Sequence, residues 1–156
     1  MHPESRTDAP ASFWRRLAAM GYDTLLVIPL MMLITAINVA IRAALVSPEA
    51  IQQSQSAALT GLGYWLNLLL ALSVTAGFFI LCWTKGGRTL GMQAWKLRII
   101  NEHGGLISHR QALTRLAVAS VSAACFGVGY LWMFYDKQQR TWHDIASGSR
   151  IILRKE

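Results

Sequence analysis

Two opposite charges open the longest apolar stretch of this chain. Arg16 stands at its mouth in Phe13-Trp-Arg-Arg-Leu-Ala-Ala, and Asp23 follows seven residues further in. From Thr24 to Ile41 there is no charged residue at all. An aspartate inside a membrane-length helix costs about 2.5–3.5 kcal/mol to insert, so it needs a partner or a task. Two kinds of chemistry suit it. Facing a polar cavity it can exchange a proton or hold a cation, as transport requires; packed among helices it can accept hydrogen bonds that fasten them. Burial would raise its pKa and a nearby arginine would lower it, and the sequence leaves that balance open.

Seven residues of helix span about 10 Å, so Arg16 and Asp23 share a face without pairing. Their partners must come from elsewhere. The other end of the chain offers Asp136, Lys137, Arg140, His143 and Asp144. The block Arg140-Thr-Trp-His-Asp144 follows the last apolar segment and lies at the membrane surface, level with Arg16. Arg16 is therefore expected to bond Asp144 or Asp136. Asp23 is expected to face an interior polar cavity or to accept from Tyr and Asn groups. His143 reads as an interfacial side chain that orients the neighbouring acid. Asn38 and Asn67, deep in apolar runs, read as interhelical hydrogen-bonding positions and only secondarily as solute contacts.

Composition narrows the classes. Hydrophobic residues make up 53% of the chain and charged residues 15%, against about 25% charged in a soluble domain. Lipid is the implied solvent. The formal charge of +7 would suggest nucleic acid in a soluble protein, but these basic residues flank apolar runs. They read as topogenic charge facing a bilayer with anionic headgroups, not as a nucleic-acid surface. No nucleophile accompanies His143-Asp144, and His2, His103 and His109 lack ligand spacing. Neither an enzyme, a metal site nor a cofactor is expected. Cys82 and Cys125 lie in apolar segments, as reduced, packed thiols would. The N-terminal apolar run exceeds a signal core and contains Asp23, so it reads as a retained span.

The elements follow from this patterning. Residues 1–11 read as a disordered tail and 12–154 as a single membrane domain, with Ser12 as a helix N-cap. The first helix runs from about Phe13 to Leu45, its membrane-spanning part covering about residues 18–41, with a kink expected at Pro29. Residues 42–61 form an outside loop, and the second span covers about 62–83. Trp65 and Trp83, near its ends, read as interfacial anchors. Lys85, Arg88, Lys96, Arg98, Arg110 and Arg115 then face one acid, Glu102, which marks a cytoplasmic segment. Within it, residues 89–95 suit a helical turn or two and Trp95 to Ile100 a short strand. Asn101 to Gly105 is a turn, Leu106-Ile107 a return strand, and Ser108-His-Arg-Gln111 a capping box.

The apolar segment at 113–135 is either a third span or a short helical hairpin turning at Gly127-Val-Gly129. Basic residues on both of its flanks favour the return. Arg150 to Arg154 could pair with Leu97 to Ile100 only if both lie on one side. The expected fold is an all-α membrane protein with two long transmembrane helices, this C-terminal segment and a small cytoplasmic β element.

Three blocks in order resemble the RDD family of small membrane proteins, named for one arginine and two aspartates. They are Phe13-Trp-Arg-Arg-Leu-Ala-Ala with Asp23; Gly87-Arg-Thr-Leu-Gly91 leading to Leu97-Arg-Ile-Ile-Asn101; and Arg140-Thr-Trp-His-Asp-Ile-Ala-Ser-Gly148. The resemblance covers about residues 12–154. It implies that Arg16, Asp23 and Asp144 are the family's arginine and aspartates. Gln93 departs from the pattern, in which many relatives carry a basic residue after Thr-Leu-Gly. Some members of the family look like cation/proton exchangers and others like accessory modules fused to unrelated domains. The charge pattern and this resemblance together lead to an expected inner-membrane protein, N-terminus in the cytoplasm. Its leading function is a membrane module of the transport class, with Arg16, Asp23, Asp144 and Asp136 as its polar core and possible ion or proton site. The alternative is a non-transporting assembly module in which the same residues only fix the helices. A transport path in so short a chain would call for a homo-oligomer.

Overall fold

One long helix, α1 (Phe13–Leu45), carries the chain from a packed, polar end into sequence without charge from Thr24 to Ile41. It belongs to a computed structural model that describes residues 9–45 and 61–153. The 33 residues of α1 rise about 50 Å, well beyond a hydrocarbon core of about 30 Å. Pro29 lies inside it. The second helix, α2 (Leu62–Leu81), continues into a π-helical turn, Cys82–Gly86. Both are long and apolar enough to cross a membrane. In lipid their backbone groups have no solvent partner, so internal helical bonding is the only stable arrangement.

The chain divides into two units. The first, residues 24–78, holds the apolar parts of α1 and α2. Leu25, Met32 and Leu33 on α1 and Leu69 on α2 are exposed, as lipid-facing side chains are. Asn67 Nδ2 donates to Thr35 Oγ1 at 3.2 Å, and Asn38 is half-buried.

The second unit, residues 1–23 and 79–156, contains the folded core. Gly87, at φ +66°, ends the π turn. A short helix α3 (Leu90–Ala94) is capped by Thr89, whose Oγ1 accepts from the Met92 N–H at 3.2 Å. Strand β1 (Leu97–Asn101) pairs antiparallel with β2 (Ser149–Leu153), with Leu97 opposite Leu153 and Asn101 opposite Ser149. Between them come α4 (His109–Ala124), α5 (Val128–Leu131), a 3-10 turn at Trp132–Phe134, and α6 (Trp142–Ala146). The capping box of Ser108 and Gln111 opens α4. The core of this unit is built from Ala11, Ala19, Trp83, Met92, Leu97, Ile99, Ile107, Ala112 and Ile151.

Several expectations are corrected here. Residues 9–11 are not a loose tail. Pro10 bridges Ile152, Ala11 N–H donates to Ile151 O at 3.1 Å, and Leu153 N–H to Ala9 O at 3.1 Å. The free edge of β2 recruits this arm because its backbone groups would otherwise lack partners. Residues 1–8 and 46–60 lie outside the described residues, so the rest of the expected tail and most of the expected loop do too. No return strand forms at Leu106-Ile107. The Asn101 side chain accepts from the His103 and Gly105 N–H groups and closes the turn. The chain then drops Ile107 into the core. Trp83 is a core residue rather than an interfacial anchor, and Cys125 is exposed rather than packed. The C-terminal apolar segment breaks between α4 and the helical turns after it, with a bend of 109°. Gly127, at φ +78°, sits in that break.

Gly87 offers a direct test of this geometry. A Cβ there would lie 2.9 Å from Leu106 Cδ2 and 3.1 Å from Ile99 O, on a backbone already left-handed. Gly87→Ala should lower stability by about 1–3 kcal/mol, read as a fall in melting temperature of the purified protein in detergent.

Candidate functional site

The N-terminal arm, the first turn of α1, α4, α6 and β2 each contribute to one buried polar cluster. At its centre is Asp144, with 0% of its surface exposed. Thr141 leads into α6, and its backbone N–H donates to Asp144 Oδ2 at 3.2 Å. A carboxylate three residues after the cap is the residue type that a helix start favours. Arg16 Nη1 donates to the same oxygen at 2.6 Å. The rest of that guanidinium is taken by backbone carbonyls. Nε donates to Ala11 O at 3.1 Å, and Nη2 to Gln139 O at 3.1 Å and Ile151 O at 3.5 Å.

A second guanidinium closes the other side. Arg115 Nη1 stands 2.5 Å from Asp144 Oδ1. Its directional hydrogen bond goes to Ser149 Oγ at 2.7 Å, so its hold on Oδ1 is chiefly one of charge. Ser149 Oγ in turn meets Ser147 Oγ at 2.7 Å, and Ser147 Oγ donates to His143 O at 2.6 Å. The Arg115 guanidinium also lies over the Trp83 ring, 5.6 Å from its centroid. Two cations thus share one anion, and the surplus positive charge is met by three carbonyl oxygens and an aromatic face.

These neighbours fix the protonation states. Burial alone would push the Asp144 carboxyl up, but Arg115 and Arg16 outweigh it and hold the group well below the usual carboxylate range. His143 moves the opposite way from a charged partner. Burial, with Arg115 and Arg16 adding to it, pushes its pKa down to about 3 against the pull of Asp144. The ring is therefore neutral at physiological pH. Its Nε2 meets Thr141 Oγ1 at 2.8 Å and its face packs on Tyr130 at 4.7 Å between centroids. His143 is thus a buried packing residue, not the interfacial side chain expected to orient Asp144. Nε2 stands 3.9 Å from that carboxylate and is engaged by Thr141 instead.

Asp23 sits in a separate setting. Its Oδ2 accepts from the Thr89 hydroxyl at 2.5 Å and its Oδ1 from the Gly91 N–H at 2.9 Å. The expected Tyr and Asn donors are not the ones used. The start of α3 supplies unpaired N–H groups closer at hand, and a carboxylate there is favoured. Gly91 permits the approach, since a Cβ would lie 2.8 Å from Asp23 Oδ1. Asp136 also departs from expectation. It is held by Arg140, with Nε donating to Oδ2 at 3.1 Å and Nη2 to Oδ1 at 3.2 Å. The Arg140 side-chain bond lowers the Asp136 pKa. Four residues separate the two, so the local loop satisfies this acid before Arg16 can.

Arg16 and Asp144 are therefore brought together, while Asp23 and Asp136 each have another partner. The residues not anticipated are Arg115, Thr89 and Gly91. Arg115 carried a readable signal: it is the last charge before an uncharged run from Leu116 to Tyr135, the same position that Arg16 holds ahead of Leu17 to Tyr22.

Two outcomes test the cluster. Asp144→Asn leaves two buried guanidiniums without their anion and should cost about 3–5 kcal/mol, seen as loss of monodisperse protein on extraction and a lower melting temperature. The second is pH dependence. Unfolded, His143 takes up a proton near pH 6.5; folded, it does so only near pH 3. Between these values the unfolded chain binds more protons, so stability falls as pH drops, by about 1.4 kcal/mol per pH unit for one group. Asp144 adds to the loss below about pH 4. Denaturant melts of the wild type and His143→Gln from pH 7 to pH 4 should show the shallower dependence in the variant.

Comparison with known proteins places this arrangement. The RDD family model matches residues 10–148, a span that includes Arg16, Asp23 and Asp144. "Uncharacterized protein YxaI" of Bacillus subtilis (strain 168) is 23% identical over 151 residues, covering 94% of this chain and 99% of that protein. No solved structure matches the chain. With nearly its whole length matched, from the arm that docks on β2 to the end of α6, this chain belongs to the RDD family.

Proposed function

We propose that this is a multi-pass protein of the bacterial-type inner membrane, N-terminus in the cytoplasm, acting as a membrane assembly module. On this reading the arginine and aspartates that define its family hold the fold together. One observation carries it: the Arg16 guanidinium is taken up by Asp144 and three backbone carbonyls, and Asp144 is buried between two guanidiniums. Groups so engaged have no free position for a solute, and Arg115 and Arg16 hold the Asp144 carboxyl well below the usual carboxylate range. The orientation rests on Lys85, Arg88, Lys96, Arg98, Arg110 and Arg115 against the single acid Glu102 between residues 84 and 115. The partner is the bilayer with its anionic headgroups. We assign the chain no enzymatic step, no cofactor and no nucleic acid.

A second reading, exchange of cations and protons, is favoured by Asp23. Its donors, the Thr89 hydroxyl and the Gly91 N–H, are both neutral. Protonating it, or giving it a cation, would not strand a buried guanidinium. A complete pathway on this reading would need a homo-oligomer around Asp23.

One comparison separates the two. Proton flux driven by monovalent cations is measured in everted vesicles for the wild type, Asp23→Asn, Arg16→Gln and Asp144→Asn, beside the amount of folded protein. The assembly role predicts no cation-dependent flux in the wild type and a lower folded amount in all three variants. For Asp23→Asn the loss corresponds to about 1–3 kcal/mol, because an amide nitrogen then faces a donor. A fully expressed Asp23→Asn that has lost a flux present in the wild type would overturn the assembly role in favour of exchange.

A further inference from the structure

We infer that the α4–α5 hairpin dips into the acyl chains of one leaflet from the side that carries the sheet and returns to that side, with Phe126 at its deepest point. The occupant of its apolar tip is lipid. Two observations close the path of the chain. Strand β1 precedes the hairpin and β2 comes after it, and the two are hydrogen-bonded along five residue pairs. The arm at residues 9–11 is bonded to β2 as well. Whatever lies between the strands must start and finish on one face of the membrane.

The segment between them is nonetheless apolar. No charged residue occurs from Leu116 to Tyr135. Val121, Phe126, Val128, Leu131 and Phe134 are exposed, Phe126 by 98%. In water such a surface would be costly, at about 25 cal/mol for each Å² of apolar area. Dimensions say how far it goes in. The apolar part of α4, Leu116 to Ala124, rises about 14 Å at about 1.5 Å per residue, close to half of a hydrocarbon core of about 30 Å. There the helix stops. Phe126 and Gly127 adopt left-handed backbone, at φ +53° and +78°, and the chain turns by 109°.

The return leg is fixed to the sheet-bearing side. The Phe134 ring packs 5.1 Å from Phe13, at the start of α1. Gly129 lets the leg lie close to α4 and α6: a Cβ there would be 2.5 Å from Ser122 Oγ and 2.9 Å from Trp142 Cε3. Charge completes the match. His109 and Arg110 stand where the hairpin leaves, and Lys137 and Arg140 where it comes back. Both ends are basic, as two points at one anionic headgroup layer are expected to be.

The test uses the full-length chain with Cys82→Ala and Cys125→Ala and one new thiol, Phe126→Cys or, for reference, His103→Cys in the exposed turn after β1. Each is labelled in detergent with an environment-sensitive fluorophore and returned to vesicles of phosphatidylethanolamine and phosphatidylglycerol containing acyl-chain spin labels. Unlabelled samples in whole cells and everted vesicles are treated with a membrane-impermeant maleimide. Position 126 should lose its emission to the acyl-chain quencher and react with maleimide from neither side. Position 103 should keep its emission and react from one side only. Reaction of position 126 from the side opposite to 103 would make the segment a third span. Reaction from the same side, without quenching, would place the tip in water. Either result overturns the proposal. Should Phe126→Cys fold poorly, Val121→Cys, also exposed, carries the same expectations.

Discussion

An ionised carboxylate with no exposure to solvent persists only where its charge is met on every side. Asp144 is that group here, and the guanidiniums of Arg16 and Arg115 are what meet it. Desolvating an ion costs several kcal/mol, which is recovered only with good geometry and satisfied remaining donors. The surrounding structure supplies both. Arg16 is aimed by the first turn of α1, Arg115 by α4, and Asp144 by the N-terminus of α6. The carbonyls of Ala11, Gln139 and Ile151 take the donors left over. Each of these elements is short or peripheral on its own. The ion network gives them a common registration.

That network joins residues 128 positions apart in sequence, a separation that would slow closure of a chain in water. The cost of closing the loop grows only slowly with length. The β1–β2 pairing and the docked arm then convert proximity into a defined geometry.

The sequence disclosed this arrangement unevenly, for physical reasons. Long runs without charge have one reading in lipid, so α1 and α2 were legible almost to the residue. The Ser108–Gln111 cap was legible too, since it arises from local residue types. Alternation marked residues 97–100 and 150–154 as strands but left their pairing conditional on both lying on one side. The partner of Arg16 could be narrowed to two acids because few acids exist near that surface. What decided between them was a loop: Arg140 lies four residues from Asp136 and takes it, leaving Asp144 free to be buried. Asp23 was harder. Its donors are a hydroxyl and a backbone N–H at the start of a five-residue helix, and backbone donors leave no mark in composition. Trp83 misled for a related reason. An indole near the end of a span usually anchors at the interface, but here the core of the second unit begins in the π turn that continues α2.

Asp23 and Asp144 show how far the same side chain can be taken by its setting. Asp144 is held by two cations, so its charge is part of the structure and any change in it undoes the fold. Asp23 is held by Thr89 and Gly91, both neutral. It lies where the packed end of α1 gives way to apolar sequence. Its hydrogen bonds fix the start of α3, which leads directly into β1, so a change at Asp23 is passed to the strand that carries the sheet. The two aspartates are therefore not members of one polar centre. One closes the second unit around Arg16, and the other sets the position from which β1 begins. A division of this kind explains why a chain so short in acids keeps both of these within largely apolar surroundings, each at the point where a helix must be tied to its neighbouring element.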